Sequence, residues 1–303
     1  MTALTGLGID ATQGGKPARP TASKAGRMAP VLHELRQHPN LAVGGTLLIV
    51  VTAIAIVGHI APPHNPLAIN PNDMTLAPSA AHWFGTDEYG RDVLSRVVYG
   101  LGIDLLIGAI VAGLALMIGS AFGLVTGYIG GWFDDIVMRV VDIVMSFPSF
   151  LLALTICVVL GNNARNVVIA VTIAYVPYML RLTRSSVLTA RSADYVLGAR
   201  AVGASRGRVM ALHVLPNAVG PTLVQATLMV GWAIFDVSGL SFLGVGIQPP
   251  SPELGVQVAD GASYITSGQW WDSVFPGIAI VLTVLAVNFL GDYADEKLRG
   301  QRA

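Results

Sequence analysis

Three carboxyl groups stand inside apolar segments of the sequence, where a charged side chain is costly. They are Asp104, Asp142 and Asp236. Ionisable groups at membrane depth mark proton relays, ion pairs or the lining of a polar path. Asp142 follows Arg139 by three residues, which predicts a local ion pair on one helical face. Asp104 is expected to reach water at a helix end, and Asp236 is the best candidate for lining a path.

Other kinds of chemical site are not indicated. The histidines show no metal-ligand spacing on one element; they lie at positions 33, 38, 59, 64, 82 and 213. The sequence has no Gly-Lys-Ser/Thr phosphate-binding loop, so the chain is expected neither to bind nor to hydrolyse ATP. The single cysteine, Cys157, lies in an apolar run and is expected to be a buried packing residue. We therefore predict that this chain is not an enzyme and binds no metal or cofactor.

The composition predicts a membrane protein made of helices. Hydrophobic residues make up 53% of the 303 residues and charged residues only 12%, with a mean hydropathy of +0.63. The net charge is zero, so no overall field favours nucleic acid. A bilayer core needs about 20 apolar residues per helix. This length selects six spans, near residues 41–61, 102–127, 137–160, 166–184, 218–240 and 274–291.

The positions of Lys and Arg predict the orientation of these spans, because cationic loops stay on the cytoplasmic side. Only Arg91, Arg96 and Arg165 fall on one side, and all the other Lys and Arg residues fall on the opposite side. Both termini are therefore predicted to be cytoplasmic. The predicted parts are a flexible cytoplasmic tail (1–27), an amphipathic surface helix (28–40) and a transmembrane domain (41–303), which has outer loops at 62–101 and 241–273 and a cytoplasmic loop at 185–217. In the first outer loop, apolar residues from Val93 to Leu101 repeat at helical spacing and predict a helix that lies in the membrane interface and leads into the second span.

Small residues recur at four-residue spacing in the second span. They are Ala115, Gly119, Gly123 and Gly127. Such a stripe lets two helix backbones approach closely in lipid. It predicts that another helix packs against this face, from this chain or from a partner.

The loop between spans four and five is too long and too regular to be a simple connector. A helical stretch begins at Asp194, Gly203 interrupts it, Ser205 can cap a second helical stretch, and Pro216 follows. The pattern predicts a compact protruding elbow (residues 194–216) built mainly of small residues. Such an elbow can enter a groove on another protein.

The elbow resembles the cytoplasmic signature of the permease subunits of bacterial ABC importers, which reads Glu-Ala-Ala, three residues, Gly, nine residues, Ile, one residue, Leu-Pro. The spacing fits without a gap, and Ala199, Gly203, Leu215 and Pro216 match. Three positions depart from the signature: Leu197, Gly198 and His213.

Further motifs, spread over residues 30–295, resemble the second permease of dipeptide, oligopeptide and nickel importers. They include His82-Trp-Phe-Gly-Thr-Asp-Glu-Tyr-Gly-Arg-Asp92, Gly127-Tyr-Ile-Gly-Gly-Trp132, Leu240-Ser-Phe-Leu-Gly-Val-Gly-Ile-Gln-Pro-Pro250 and Asn288-Phe-Leu-Gly-Asp292. One departure lies at Gly102-Ile-Asp104, where such permeases usually carry an arginine followed by a small polar residue.

The resemblance implies a type I ABC importer permease in a prokaryotic plasma (inner) membrane. This subunit would form a heterodimer with a homologous permease, above two ATPase domains that bind ATP and Mg²⁺ and below an extracytoplasmic substrate-binding protein. The substrate would be a peptide, crossing a path to which we assign Asp236, Ser238 and Asp104. Coupling to the ATPase is assigned to Asp194, Leu197, Gly198, Ala199, Arg200, Gly203, Ala204, Ser205 and Arg206.

Two alternatives remain at this point. A nickel or other metal-chelate importer shares the architecture, and the binding protein decides the ligand. A proton-coupled secondary transporter would be expected to show inverted repeats and ionisable groups at mid-membrane, and it would leave the elbow without a role.

Overall fold

The computed structural model describes the backbone of residues 38–300 and the side chains as far as residue 298. The tail predicted over 1–27 lies outside the described residues. So does the surface helix predicted over 28–40, except for its last three positions, where the first described helix begins at Pro39.

The described residues form helices joined by connections of varied length, with no strand between residues 38 and 300. A turn of π-helix occurs at Met210–Val214, and single turns of 3-10 helix occur at Pro71–Asp73 and Ile265–Ser267. The helices are α1 (Pro39–Ile60), α2 (Val93–Ile129), α3 (Gly131–Met145), α4 (Ser149–Leu160), α5 (Ala164–Arg191), α6 (Asp194–Ala201), α7 (Arg206–Val209), α8 (Leu215–Phe242), α9 (Leu254–Ala262) and α10 (Trp271–Gly300).

Five of these helical stretches are long and apolar enough to cross a membrane: α1, α2, α5, α10, and α8 together with the turns that precede it. The pair α3 and α4 makes a sixth span if it is counted as one, although the two helices meet at an angle of 88°. The predicted class, an all-α membrane protein, is therefore confirmed.

The third span was predicted as one helix over 137–160, and the bend corrects that prediction. Helix α3 ends at Met145 and α4 begins at Ser149. Pro148 stands between them, and proline has no N–H to donate and disfavours helical geometry in the residue before it. The apolar composition of this segment predicted the span but did not predict the break.

Helix α2 also departs from its predicted bounds, because it begins at Val93 rather than at residue 102. Val93, Val97 and Leu101 are buried in a cluster with Leu254 and Trp271. The helix predicted here is present and leads into the second span, but its predicted place in the membrane interface is wrong, because this stretch forms the first turns of α2 and packs against protein. The apolar face that suggested a membrane surface is covered by α9 and by the start of α10.

The helix bundle has two ends that differ in character. We call the end where α2 begins and α8 ends the head end; it carries the connections 61–92 and 243–270. We call the opposite end, where α5 ends and α8 begins, the elbow end. Between them, α2, α5 and α8 share the main apolar core, in which Val111, Met179 and Met229 are almost completely buried.

The small-residue stripe of α2 lies against α5. A Cβ atom added at Gly119 would lie 2.7 Å from the Cβ of Met179, and one added at Gly123 would lie 2.5 Å from the carbonyl oxygen of Leu180. Gly127 is similarly close to Val187. The two backbones are thus in contact along three helical turns, which only glycine permits at these positions.

Candidate functional site

The elbow turns sharply after α6. Gly203 has a φ of +82°, a left-handed conformation that favours glycine. The N–H of Gly203 donates to the carbonyl oxygen of Arg200 at 3.0 Å. The N–H of Ala204 donates to the carbonyl oxygen of Ala199 at 3.1 Å. These bonds close the end of α6. The Ser205 side chain then caps α7, as the sequence indicated.

One face of the elbow is fixed firmly to the bundle. Val196, Val209 and Val214, one each from α6, α7 and the π turn, are fully buried. They form a separate apolar cluster with residues that include Tyr128 of α2 and Val187 of α5. The π turn continues directly into α8, so the elbow and that helix form one continuous stretch of helical chain.

The opposite face of the elbow is exposed and carries an apolar tip. Val202 is 86% exposed and Leu197 is 50% exposed. A Cβ added at Gly198, Gly203 or Gly207 would meet nothing within 4 Å. The residues assigned to coupling all lie on this surface, except that Ala199 and Ala204 are half-buried. Small side chains around an exposed valine make a surface that another protein can approach closely.

A cationic groove adjoins the elbow. Its volume is about 590 Å³, and Arg191, Arg200 and Arg206 contribute to its lining. Arg191 donates to the Gly127 carbonyl oxygen at 2.8 Å, and the Arg200 guanidinium lies 5.2 Å from the ring centre of Tyr128. Among the described residues, no acidic side chain lines this groove, so the groove suits an acidic group of a partner.

Two ion pairs join α5 to α3 near the elbow end. Arg184 donates Nε and Nη2 to the two carboxylate oxygens of Asp134, each at 2.6 Å. Arg181 pairs with Asp142. The predicted pair of Arg139 with Asp142 is therefore wrong, because α5 brings a guanidinium from 39 residues along the chain to this carboxylate.

A cavity of about 500 Å³ lies between α3, α4, α5, α8 and α10. Its lining is mostly apolar and includes the aromatic side chains of Tyr175, Tyr178, Trp232 and Phe235. Asp236 also lines it, and its carboxylate accepts a hydrogen bond from the Tyr175 hydroxyl at 2.8 Å. A carboxylate among aromatic rings can bind an ammonium group by charge and by cation–π contact.

The other two residues assigned to the path lie apart from this cavity. Ser238 is 4% exposed and Asp104 is 1% exposed, and neither lines the cavity that Asp236 faces. The expectation that Asp104 reaches water is wrong. The connection 243–270 folds back over the start of α2, and Asp104 lies there beside the carboxyl group of Glu253.

Glu253 directly precedes α9, caps its first turn and is fully buried. Its Oε2 accepts the N–H of Val256 at 2.8 Å. Burial raises the pKa of Glu253, although hydrogen bonds from the N–H groups of Val256 and Gly255 lower it. Two buried carboxyl groups side by side favour a shared proton over two negative charges.

A buried charge cluster at the head end was not predicted from the sequence. Arg91 Nε donates to Asp87 Oδ2 at 2.5 Å, and Arg96 Nε lies 3.4 Å from the same oxygen. Asp260 of α9 and Asp272 of α10 extend the cluster, and Arg91 Nη2 lies 3.9 Å from Asp260 Oδ2. Burial raises the pKa of Asp260, against the lowering effect of Arg96. The cluster connects residues 87–96 to α9 and to the start of α10.

Comparison with known proteins identifies the family. Residues 119–299 match the model of the binding-protein-dependent transport system inner membrane component. The chain is 41% identical to the dipeptide transport system permease protein DppC of Alkalihalophilus pseudofirmus, over 84% of this chain and 83% of the relative. It is 43% identical to DppC of Escherichia coli, over 86% and 88%, and 40% identical to the probable D,D-dipeptide transport system permease protein DdpC of that species, over 85% and 86%.

These matches confirm the resemblance to ABC importer permeases. Together with the apolar helices, they also confirm a multi-pass protein of the inner membrane, and the family implies a complex with partner subunits. This chain belongs to the family of inner membrane components of binding-protein-dependent transport systems.

Proposed function

We propose that this chain is one of two membrane-spanning subunits of an ATP-driven importer of dipeptides and oligopeptides. The observation that carries the proposal is the elbow, which is fixed to α2, α5 and α8 on one face and exposes Val202 on the other. The relatives' names, which specify dipeptide transport, support the substrate. The distribution of Lys and Arg supports an elbow end in the cytoplasm and a head end outside.

ATP hydrolysis drives transport by moving the elbow. Two ATPase domains bind ATP and Mg²⁺, and this chain binds neither. The exposed tip at Val202 enters a cleft of one ATPase domain, and the adjacent arginine groove receives an acidic side chain from it. Closure of the ATPase pair moves the elbow, and the π turn passes that movement to α8, which carries Trp232 and Asp236 in the cavity wall.

The cavity supplies half of the path. A homologous permease faces it and completes the path, while a substrate-binding protein delivers the peptide to the head end. Peptides carry an ammonium group at one terminus, and Asp236 with the surrounding rings offers that group a charge partner. Net transport is inward because the binding protein loads only the outer side.

The proposal is tested by uptake in proteoliposomes that contain the complete complex with its binding protein. Val202→Asp places a charge on the apolar tip without straining the backbone, and Val202→Thr is the matched control of the same shape. We expect dipeptide uptake to fall at least tenfold in the Asp variant, with the complex still assembled, and to stay near the wild-type rate in the Thr variant. Wild-type uptake by the Asp variant contradicts the coupling role. Uptake of Ni²⁺ rather than dipeptide by the wild-type complex contradicts the substrate.

A further inference from the structure

Three groups with metal-ligand chemistry converge at the head end, outside the elbow and the cavity. They are the imidazoles of His64 and His82 and the carboxylate of Asp92, whose ligand atoms all lie within 4.8 Å of one another. We propose that they bind one divalent transition-metal ion of the zinc type. This site does not depend on the proposed function, and it departs from the expectation that the chain binds no metal.

The distances between the ligand atoms are close to those that a metal needs. His82 Nδ1 lies 2.9 Å from Asp92 Oδ1, and His64 Nδ1 lies 3.7 Å from Asp92 Oδ2. Zinc–ligand bonds of 2.0–2.2 Å in tetrahedral geometry place neighbouring donor atoms about 3.3 Å apart. The two imidazole rings are 5.1 Å apart between centroids. Because the three ligand atoms lie up to 4.8 Å apart, side-chain shifts of about 1 Å or more bring all the donors to that spacing.

The carboxylate is held in place before any metal arrives. Asp92 precedes the first residue of α2 and is only 4% exposed. Its Oδ2 accepts the N–H of Ser95 at 2.8 Å and the Ser95 hydroxyl at 2.6 Å. The same hydroxyl oxygen accepts the backbone N–H of His64 at 2.9 Å. Ser95 thus links two of the three ligands, which is how outer hydrogen bonds orient the ligands of a metal site.

Space remains for a further ligand. A cavity of about 210 Å³ adjoins the site, and its lining includes His64, Asp92 and Trp83. The His64 side chain is 51% exposed and that of His82 is 14% exposed, so an ion can enter from solvent. Two imidazole nitrogens and one carboxylate oxygen favour Zn²⁺ and its neighbours over Mg²⁺ or Ca²⁺, which prefer oxygen ligands. Bound there, the ion fixes the connection 61–92 to the start of α2.

Zn²⁺ binding by the purified full chain in detergent, with any affinity tag removed, tests the proposal. We expect one equivalent of Zn²⁺ to bind the wild type, and His64→Ala and His82→Ala each to weaken its affinity at least tenfold. His59→Ala is the matched control: His59 is an exposed histidine at the same end that stacks on Tyr99, and its loss is expected to leave binding unchanged.

A second variant separates ligation from helix capping. Asp92→Asn keeps an oxygen that can cap α2 but removes the negative charge, so we expect unchanged folding and weakened Zn²⁺ binding. X-ray absorption of the zinc-loaded wild type is expected to show two imidazole ligands. Absence of stoichiometric binding by the wild type overturns the proposal, and so does equal affinity in the His64→Ala, His82→Ala and control variants.

Discussion

Gly123→Ala probes the contact between α2 and α5 most sharply. The added Cβ would lie 2.5 Å from the carbonyl oxygen of Leu180 and 2.7 Å from the Cβ of Thr183. Ordinary contacts begin near 3.4 Å, so the helices must separate locally by nearly 1 Å. Forcing a methyl group into a packed interface costs about 1–3 kcal/mol. Replacing glycine by alanine within a helix also stabilises the helix by up to about 1 kcal/mol at any position.

Gly113→Ala on the same helix is the control, because an added Cβ there meets nothing within 4 Å. The helix-propensity gain is the same in both variants, so their difference isolates the clash. We expect the free energy of unfolding of Gly123→Ala to be about 1–3 kcal/mol lower than that of Gly113→Ala. Denaturant-induced unfolding of the purified chain in mixed micelles measures this difference. Free energies equal within about 0.5 kcal/mol refute the close packing of α2 against α5.

Two further predictions concern buried carboxyl groups. Burial raises the pKa of Glu253 above its ordinary value of 4.5, so the contribution of Glu253 to stability is complete below pH 4.5 and is lost as the pH rises through the raised pKa. Between about pH 5 and pH 9, the melting temperature should therefore fall more steeply in the wild type than in Glu253→Gln. A steeper fall in the variant contradicts this prediction. Asp134→Asn breaks the bidentate pair with Arg184 and should lower the free energy of unfolding by about 1–3 kcal/mol. Asp135→Asn, at the exposed neighbouring position, should change the free energy of unfolding by less than about 0.5 kcal/mol. Equal losses in the two variants contradict a stabilising role for the pair.

Local sequence signals predicted much of the fold and of the elbow. Runs of apolar residues marked the spans because lipid imposes a fixed minimum length on a crossing helix. Gly203 and Ser205 marked the turn of the elbow because the conformation of a helix end depends on its own residues. Pro148 was a local signal for the break before α4. The span was nevertheless predicted as one helix, because the whole segment is uniformly apolar.

Contacts between distant segments were not predictable in this way. Asp104 is buried because Glu253 and α9, about 150 residues later, cover it. The proposed ligands His64, His82 and Asp92 lie outside the helices, so no helical or strand spacing rule applies to them. Asp142 pairs with an arginine of another helix because the packing of α5 against α3 decides which guanidinium is nearest.

We propose that the exposed tip of the elbow touches an ATPase subunit. Cys157 is the only native cysteine and is buried, so Val202→Cys supplies an accessible thiol for a photoreactive cross-linker. We expect illumination of the assembled complex to join this chain to the ATPase subunit, with a yield that changes when ATP binds. A cross-link that is absent in the intact complex, or that forms only with other proteins, contradicts the account.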